Sequence, residues 1–465
     1  MEYTSAWNKY TSSDKKELDR VCDGYKKFLD NGKTERECVK QTVALAEAAG
    51  YKELGEFIKT NKPKTGDKLY SVCMGKTLAL FQIGSDPIEE GMNILGAHID
   101  SPRLDVKQNP LYEDSGNVYL DTHYYGGIKK YQWVTQPMAI HGVIALKDGS
   151  VVEVSVGEKE KEPVFVFTDL LIHLGDRQMQ KNARTVVEGE QLDLLIGNMP
   201  LDQSKLKEDE KQAVKANILR ILKKQYKIEE EDFLSAELEI VPAGKARDCG
   251  FDKSMILAYG QDDRVCAYTS VLAMLDETEP LKRTSCCLIV DKEEIGSVGA
   301  TGMTSKFFEN TVAKLIGAMG VAHPFISTHD CLENSFMLSS DVSAAYDPLY
   351  ADVFDRKNIA YLSCGMAFNK FTGARGKSGS NDANAEYIAK IRKIMDDADV
   401  SYQFCELGKV DIGGGGTIAY IMAEYCMNVI DSGVALLSMH APYELSSKAD
   451  VYEAYKGYRA FLKNA

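Results

Sequence analysis

Hydrophobic and polar positions change period along the chain, and the change divides it. Residues 13–30 and 34–49 place apolar side chains three and four apart, the spacing of amphipathic helices. Ser12-Ser13-Asp14 opens the first of them and Asn31-Gly32 closes it. Met92 to Leu95 is a short apolar strand running into Gly96-Ala97-His98-Ile99-Asp100. From about Leu104 to Ala243 the texture turns β-branched, aromatic and partly alternating, with turns at Asp148-Gly149 and Gly157. One helix, roughly 207–226, interrupts this region. A helix over 263–275, an apolar strand at Leu288-Ile289-Val290 and a helix at 304–318 then restore an α/β alternation. Strands around 335–339 and 359–368, a helix at 382–397, strands at 400–406 and 433–438, and a helix at 448–463 complete it. Such alternation predicts an α/β fold with a mixed or parallel sheet covered on both faces. The expected division is an α/β domain over 1–103 and 250–465, with a β-rich domain inserted over 104–249.

Length and composition narrow the function. A chain of 465 residues exceeds one ordinary core, so two domains are expected. The 44% hydrophobic and 27% charged content is that of a globular protein. No apolar run spans a membrane, and the N-terminus carries no apolar signal region. Net charge is −14 with no basic stripe, which argues against nucleic acid or an anionic membrane as partner. The 11 cysteines are scattered, and no CxxC pair suggests a thiolate zinc site. They read as reduced thiols of a cytoplasmic protein.

Five segments share one form: an apolar run or glycine turn delivers a metal-type ligand at its end. They are GAHIDSPRL with His98, GQDDRV with Asp262, DKEEIGS with Glu294, LSSDVSAAYDP with Asp341 and LSMHAPYE with His440. Charges at the carboxyl ends of buried strands sit where open α/β sheets place ligands. Two histidines and three carboxylates, with Glu293 spare, suit two closely spaced divalent ions. Zinc, cobalt and manganese all accept such N/O donors. Asp262 and Asp263 also fit a plain helix cap, and His123, His141, His323 and His329 read as structural.

In these motifs, their order and their separations, nearly the whole chain resembles the M18 family of metalloaminopeptidases, the aspartyl aminopeptidases. The resemblance implies a zinc-peptidase α/β domain interrupted by a β-rich dimerisation domain, and a tetrahedral homododecamer built from dimers. It implies a two-metal hydrolase that removes N-terminal residues from peptides. By position, His98 and Asp341 would hold one ion, Glu294 and His440 the other, and Asp262 would bridge, with Asp263 one residue away. Glu293 would be the general base, and Asp100 would accept the second N–H of His98. Lys370 falls in the substrate-contact region, where it would read an acidic side chain. Gly414, within Gly413 to Thr417, would let substrate backbone come close. His173, in VFTDLLIHLGDR, resembles a histidine that reaches into a neighbouring subunit's site. The run YGGIKKYQWVTQPMA departs from the family pattern in the inserted domain, which bears on the chamber, and the flanks of Lys370 depart from it too, which leaves the preferred N-terminal residue open. A non-catalytic assembly protein, or a metal amidohydrolase or carboxypeptidase, are the other readings.

Overall fold

The computed structural model describes residues 4–205 and 211–465. Contacts divide them into two compact units. One comprises residues up to Asp100, Ala246–Met439 and Glu444–Ala465; the other comprises Ser101–Lys245 and His440–Tyr443.

The first unit is built on a nine-stranded mixed sheet. At its centre the Thr284–Val290, Met92–His98 and Phe336–Ser340 strands run parallel, side by side. All three are buried on both faces, so they read as continuous apolar runs. Alternate side chains go to opposite layers. Cys287 and Ile289 join the core formed with the Ser12–Asn31, Gln261–Leu275, Ala385–Asp397 and Lys448–Asn464 helices, while Cys286, Leu288 and Val290 join that of the Phe307–Met319 and Pro324–Glu333 helices. A five-stranded sheet, ending on Ser343–Ala344 and Arg247–Cys249, completes the unit.

Local chemistry sets the ends of the helices. Thr11 caps the first one residue earlier than expected, in a reciprocal box with Asp14, and Thr34 does the same with Glu37 for Glu35–Ala48. Asn384 caps Ala385–Asp397 by accepting from the Tyr387 N–H, so that helix starts three residues after 382. The strand expected over 359–368 is reduced to Met366–Asn369. Ser363 and Gly365 take positive φ, and their N–H groups donate to the buried Asp450 carboxylate, not to a neighbouring strand. The strand expected over 433–438 is two pieces, Asn428–Gly433 in the large sheet and Ala435–Leu437 in the small one. The Pro324–Glu333 helix, with proline in its first turn, escaped the periodic reading.

The second unit is a seven-stranded sheet with every pairing antiparallel. Trp133, Phe167 and Leu194 lie in its interior. Its helix runs Ala213–Tyr226; the expected residues 207–210 lie outside the described residues. All 11 cysteines are free thiols, and no described helix is long and apolar enough to cross a membrane.

Candidate metal centre

Because the three central strands are parallel neighbours, their carboxyl ends meet at one edge of the sheet. His98 is the last residue of its strand and pairs with Val290, the last of the next. Past Val290 the chain turns through Asp291 and Lys292 and places Glu293 and Glu294 in a short 3-10 turn. Asp341 directly follows the Phe336–Ser340 strand. Asp262 and Asp263 arrive from the opening of the Gln261–Leu275 helix, where both have non-helical backbone.

The acidic side chains converge on one imidazole. His98 Nε2 lies 3.3 Å from Asp262, 3.8 Å from Asp341 and 3.9 Å from Glu293. Two groups of ligand atoms lie within 4.8 Å of one another, His98 with Asp263 and Asp341, and His98 with Asp262 and Glu294. Asp100 organises this end. Its carbonyl oxygen is 3.1 Å and its carboxylate 3.3 Å from His98 Nδ1, so a proton is held on Nδ1, and Nε2, which faces the carboxylates, is the nitrogen that a metal ion would take in exchange for its proton. The same carboxylate accepts the Glu293 and Glu294 backbone N–H groups, each at 3.1 Å.

Burial and mutual repulsion make the carboxyls of this cluster resist ionisation. Burial first, then the charges of Asp341, Asp262 and Asp100, pushes the Glu293 carboxyl up to about 8, against the opposing pull of His98. Burial and the neighbouring Asp341 and Asp262 raise Asp263 well above the carboxylate range. Asp341 is raised by burial and Asp262, with His98 opposing. Burial alone would lower His98, but hydrogen bonds to Asp100, Asp262 and Asp341 and the charge of Glu293 carry it well above its ordinary value.

This donor set fits a divalent ion. Six carboxylates, Asp100 included, crowd one imidazole, and both buried oxygens of Asp263 lack a hydrogen-bond partner of good geometry among the described residues. An imidazole nitrogen with carboxylate oxygens is a set zinc accepts.

The remaining expected residues are placed as follows. Neither ligand group contains His440, which belongs to the second unit. Its Nδ1 is 2.7 Å from the Gly127 carbonyl oxygen, which puts its proton there and the lone pair on Nε2. His173 is also in the second unit, exposed in the Ile172–Leu174 turn. Lys370 is exposed after the Met366–Asn369 strand and lines a surface pocket with Arg392, Tyr402 and Phe404. A Cβ on Gly414 would meet Ala374 backbone at 2.6 Å, and one on Gly413 would meet the Leu407 carbonyl, so both glycines have a packing reason that needs no substrate.

Three supporting groups were not singled out from sequence. Glu444, which ends the LSMHAPYE motif, accepts the Asp262 N–H at 3.0 Å. Thr301 donates to Asp291 at 2.6 Å and so ties down the far side of the glutamate turn. Thr417 donates to the buried Asp431 at 2.5 Å. Their partners lie outside the motifs that carry them, and only the motif positions of Glu444 and of Thr417, at the end of the Gly413 to Thr417 stretch, hinted at a role.

The model of the aminopeptidase I zinc metalloprotease family (M18) matches residues 28–462. A probable M18 family aminopeptidase 1 of Clostridium acetobutylicum is 58% identical over 464 residues, 100% of this chain and 98% of the relative. The crystal structure of an M18-family aminopeptidase from Thermotoga maritima matches with a TM-score of 0.94 at 42% identity, covering 100% of both chains. That of aminopeptidase I from Clostridium acetobutylicum matches at 0.91 and 57%, again over 100% of both.

Proposed function

Because the chain belongs to the M18 family of zinc metalloproteases and is a metal-dependent aminopeptidase, we propose that it works with two divalent ions and with Glu293 as general base. The convergence of His98 with Asp262, Asp263, Glu293, Glu294 and Asp341 carries this reading. His98 and Asp341 are assigned to one ion and Glu294 and His440 to the other. Asp262 would be shared by both ions, with Asp263, grouped with His98 and Asp341, as its alternative. Zinc is the metal the family's description names, and cobalt or manganese suit the same donors.

Ions held there would lower the pKa of a bound water and polarise the scissile carbonyl. The side chains do the rest. Glu293 takes the proton of the attacking water on its carboxylate and delivers it to the leaving amine. Asp100 holds Glu293 through its backbone N–H and keeps the His98 proton on Nδ1, so the base and the imidazole lone pair are fixed by one group.

The substrates are peptides with a free amino terminus. Lys370 is assigned to an acidic first side chain, Gly414 to close passage of the substrate backbone, and the partner subunit's His173 to support of the substrate in a shared site. The Ser101–Lys245 unit would then build the dimer. A yeast aminopeptidase of the same fold, 20% identical, forms a dodecamer, and a tetrahedral dodecamer is the assembly assigned here. The free thiols suit the cytoplasm.

The test is to strip the protein with chelator and return counted zinc while following cleavage of Leu, Asp and Glu p-nitroanilides. Activity is expected to rise until two equivalents per chain have entered. Full recovery at one equivalent would overturn the two-ion reading.

A further inference from the structure

The second unit contains a cavity that the peptidase chemistry does not use. It measures about 290 Å³ and is bounded by the seven-stranded sheet and the Ala213–Tyr226 helix. The helix makes its contacts with the Arg103–Asp114, Asn117–Tyr125 and Leu194–Gly197 strands. It packs tightly on Gly197, where a Cβ would lie 2.5 Å from Ile218. The gap opens beside this contact, over the Met138–Ala145 and Val151–Val156 strands, where Ile140 stands opposite Val156 and Leu238 opposite Gly142.

Leu120, Ile144, Val154 and Phe233 line the cavity and are buried from bulk solvent. Native interiors are close-packed, with few voids larger than a water molecule. A water needs two to four polar partners. The polar side chains of the lining are Gln225 and Tyr226, whose Nε2 and hydroxyl are 3.1 Å apart, so any hydrogen bonding is confined to one end. Val164 and Ile221, both exposed, mark an opening. Among the described residues, the charges that act on Tyr226 are Lys159 and Glu162, and they pair with each other at 3.0 Å, so Lys159 is not a lone cation offered to a carboxylate.

We propose that this cavity is a binding site for a small uncharged amphiphile, with its hydrocarbon body between helix and sheet and one neutral hydroxyl or amide on Gln225 and Tyr226. An apolar cavity of roughly 150 Å³ takes up benzene, so this one has room for about ten carbons.

The test uses the full-length protein with three probes, naphthalene, 1-octanol and octanoate, and reads binding by ligand-observed NMR and thermal shift. Naphthalene and octanol are expected to bind. Octanoate should bind at least about tenfold more weakly, because its charge has no partner. Val154→Phe and Leu238→Phe each fill the space and should abolish binding of both neutral probes while leaving aminopeptidase activity intact. Gln225→Leu should weaken octanol by up to about tenfold, the worth of one neutral hydrogen bond, and spare naphthalene. No binding to the wild type up to probe solubility would overturn the proposal, as would wild-type affinity in both filled variants when they are folded and active. Octanoate binding as tightly as octanol would overturn the neutral-ligand assignment. An assembly mass that changes with octanol would mean that side chains of a second copy occupy the cavity, and would overturn the small-ligand reading.

Discussion

At the edge of the nine-stranded sheet, His98, Asp262 and Asp263 are buried like core side chains, whereas in the seven-stranded sheet that depth goes to Trp133, Phe167 and Leu194. Burial does opposite things in the two places. Around Phe167 it is favourable by itself, since apolar area leaves water. Around His98 it is unfavourable until a positive charge enters, which is why Glu293, Asp263 and Asp341 all hold their protons more tightly than free carboxyls. The apolar interior therefore needs no charge to balance it, and the metal centre does.

Removing the ion should break this contrast most sharply. A strong chelator is expected to take hydrolysis to background, with far-UV circular dichroism unchanged, and zinc should restore it; activity that survives verified metal loss would contradict the scheme. Next comes Glu293→Gln. Metal content should stay at the wild-type level while kcat falls about 10²–10⁴-fold, and a variant keeping half of wild-type kcat would remove Glu293 as the base.

In the apolar region the expected loss is one of stability. Phe167→Ala should cost about 3–5 kcal/mol of unfolding free energy, seen in denaturant melts. Metal bound per folded chain should not change. A loss under 1 kcal/mol would mean that this interior is not packed as described.

Asp100→Asn separates the support of the site from the site itself. Loss of an outer group of this kind weakens metal affinity about 10–100-fold, and competition with a zinc-sensitive dye would measure it. Unchanged affinity would show that the His98 contact to the Asp100 carbonyl suffices. The smallest effect is expected at Lys370, which is exposed. Lys370→Ala should reduce kcat/KM on Asp and Glu substrates by up to about fivefold, the scale of an exposed ion pair, and leave Leu substrates alone. Equal losses on all three would reject its reading of an acidic side chain.

Helices announced themselves where one face is apolar and a polar residue starts the turn. Ser12–Asn31, Glu35–Ala48 and Lys448–Asn464 lie within a residue or two of the periodic reading because their spacing and caps are local facts. The 359–368 stretch misled because Ile359 to Leu362 has strand composition, while its neighbours' backbone donors are claimed by Asp450 from the C-terminal helix. Nothing near residue 363 in sequence could reveal that.

The same division holds at the metal centre. The sequence by itself determined the kinds of ligand and their settings, since a histidine or carboxylate at the end of an apolar run is a feature of a few consecutive residues. Tertiary structure alone decided which of them meet. Three parallel strands brought His98, the Glu293-Glu294 turn and Asp341 to one edge, the opening of the Gln261–Leu275 helix added Asp263 beside Asp262, and Asp100 was placed to hold two glutamate N–H groups nearly two hundred residues away. Side-chain type and periodicity are properties of neighbours along the chain. Contact distance and burial depend on how distant segments pack, and these set both the hydrogen bonds and the pKa values of the site.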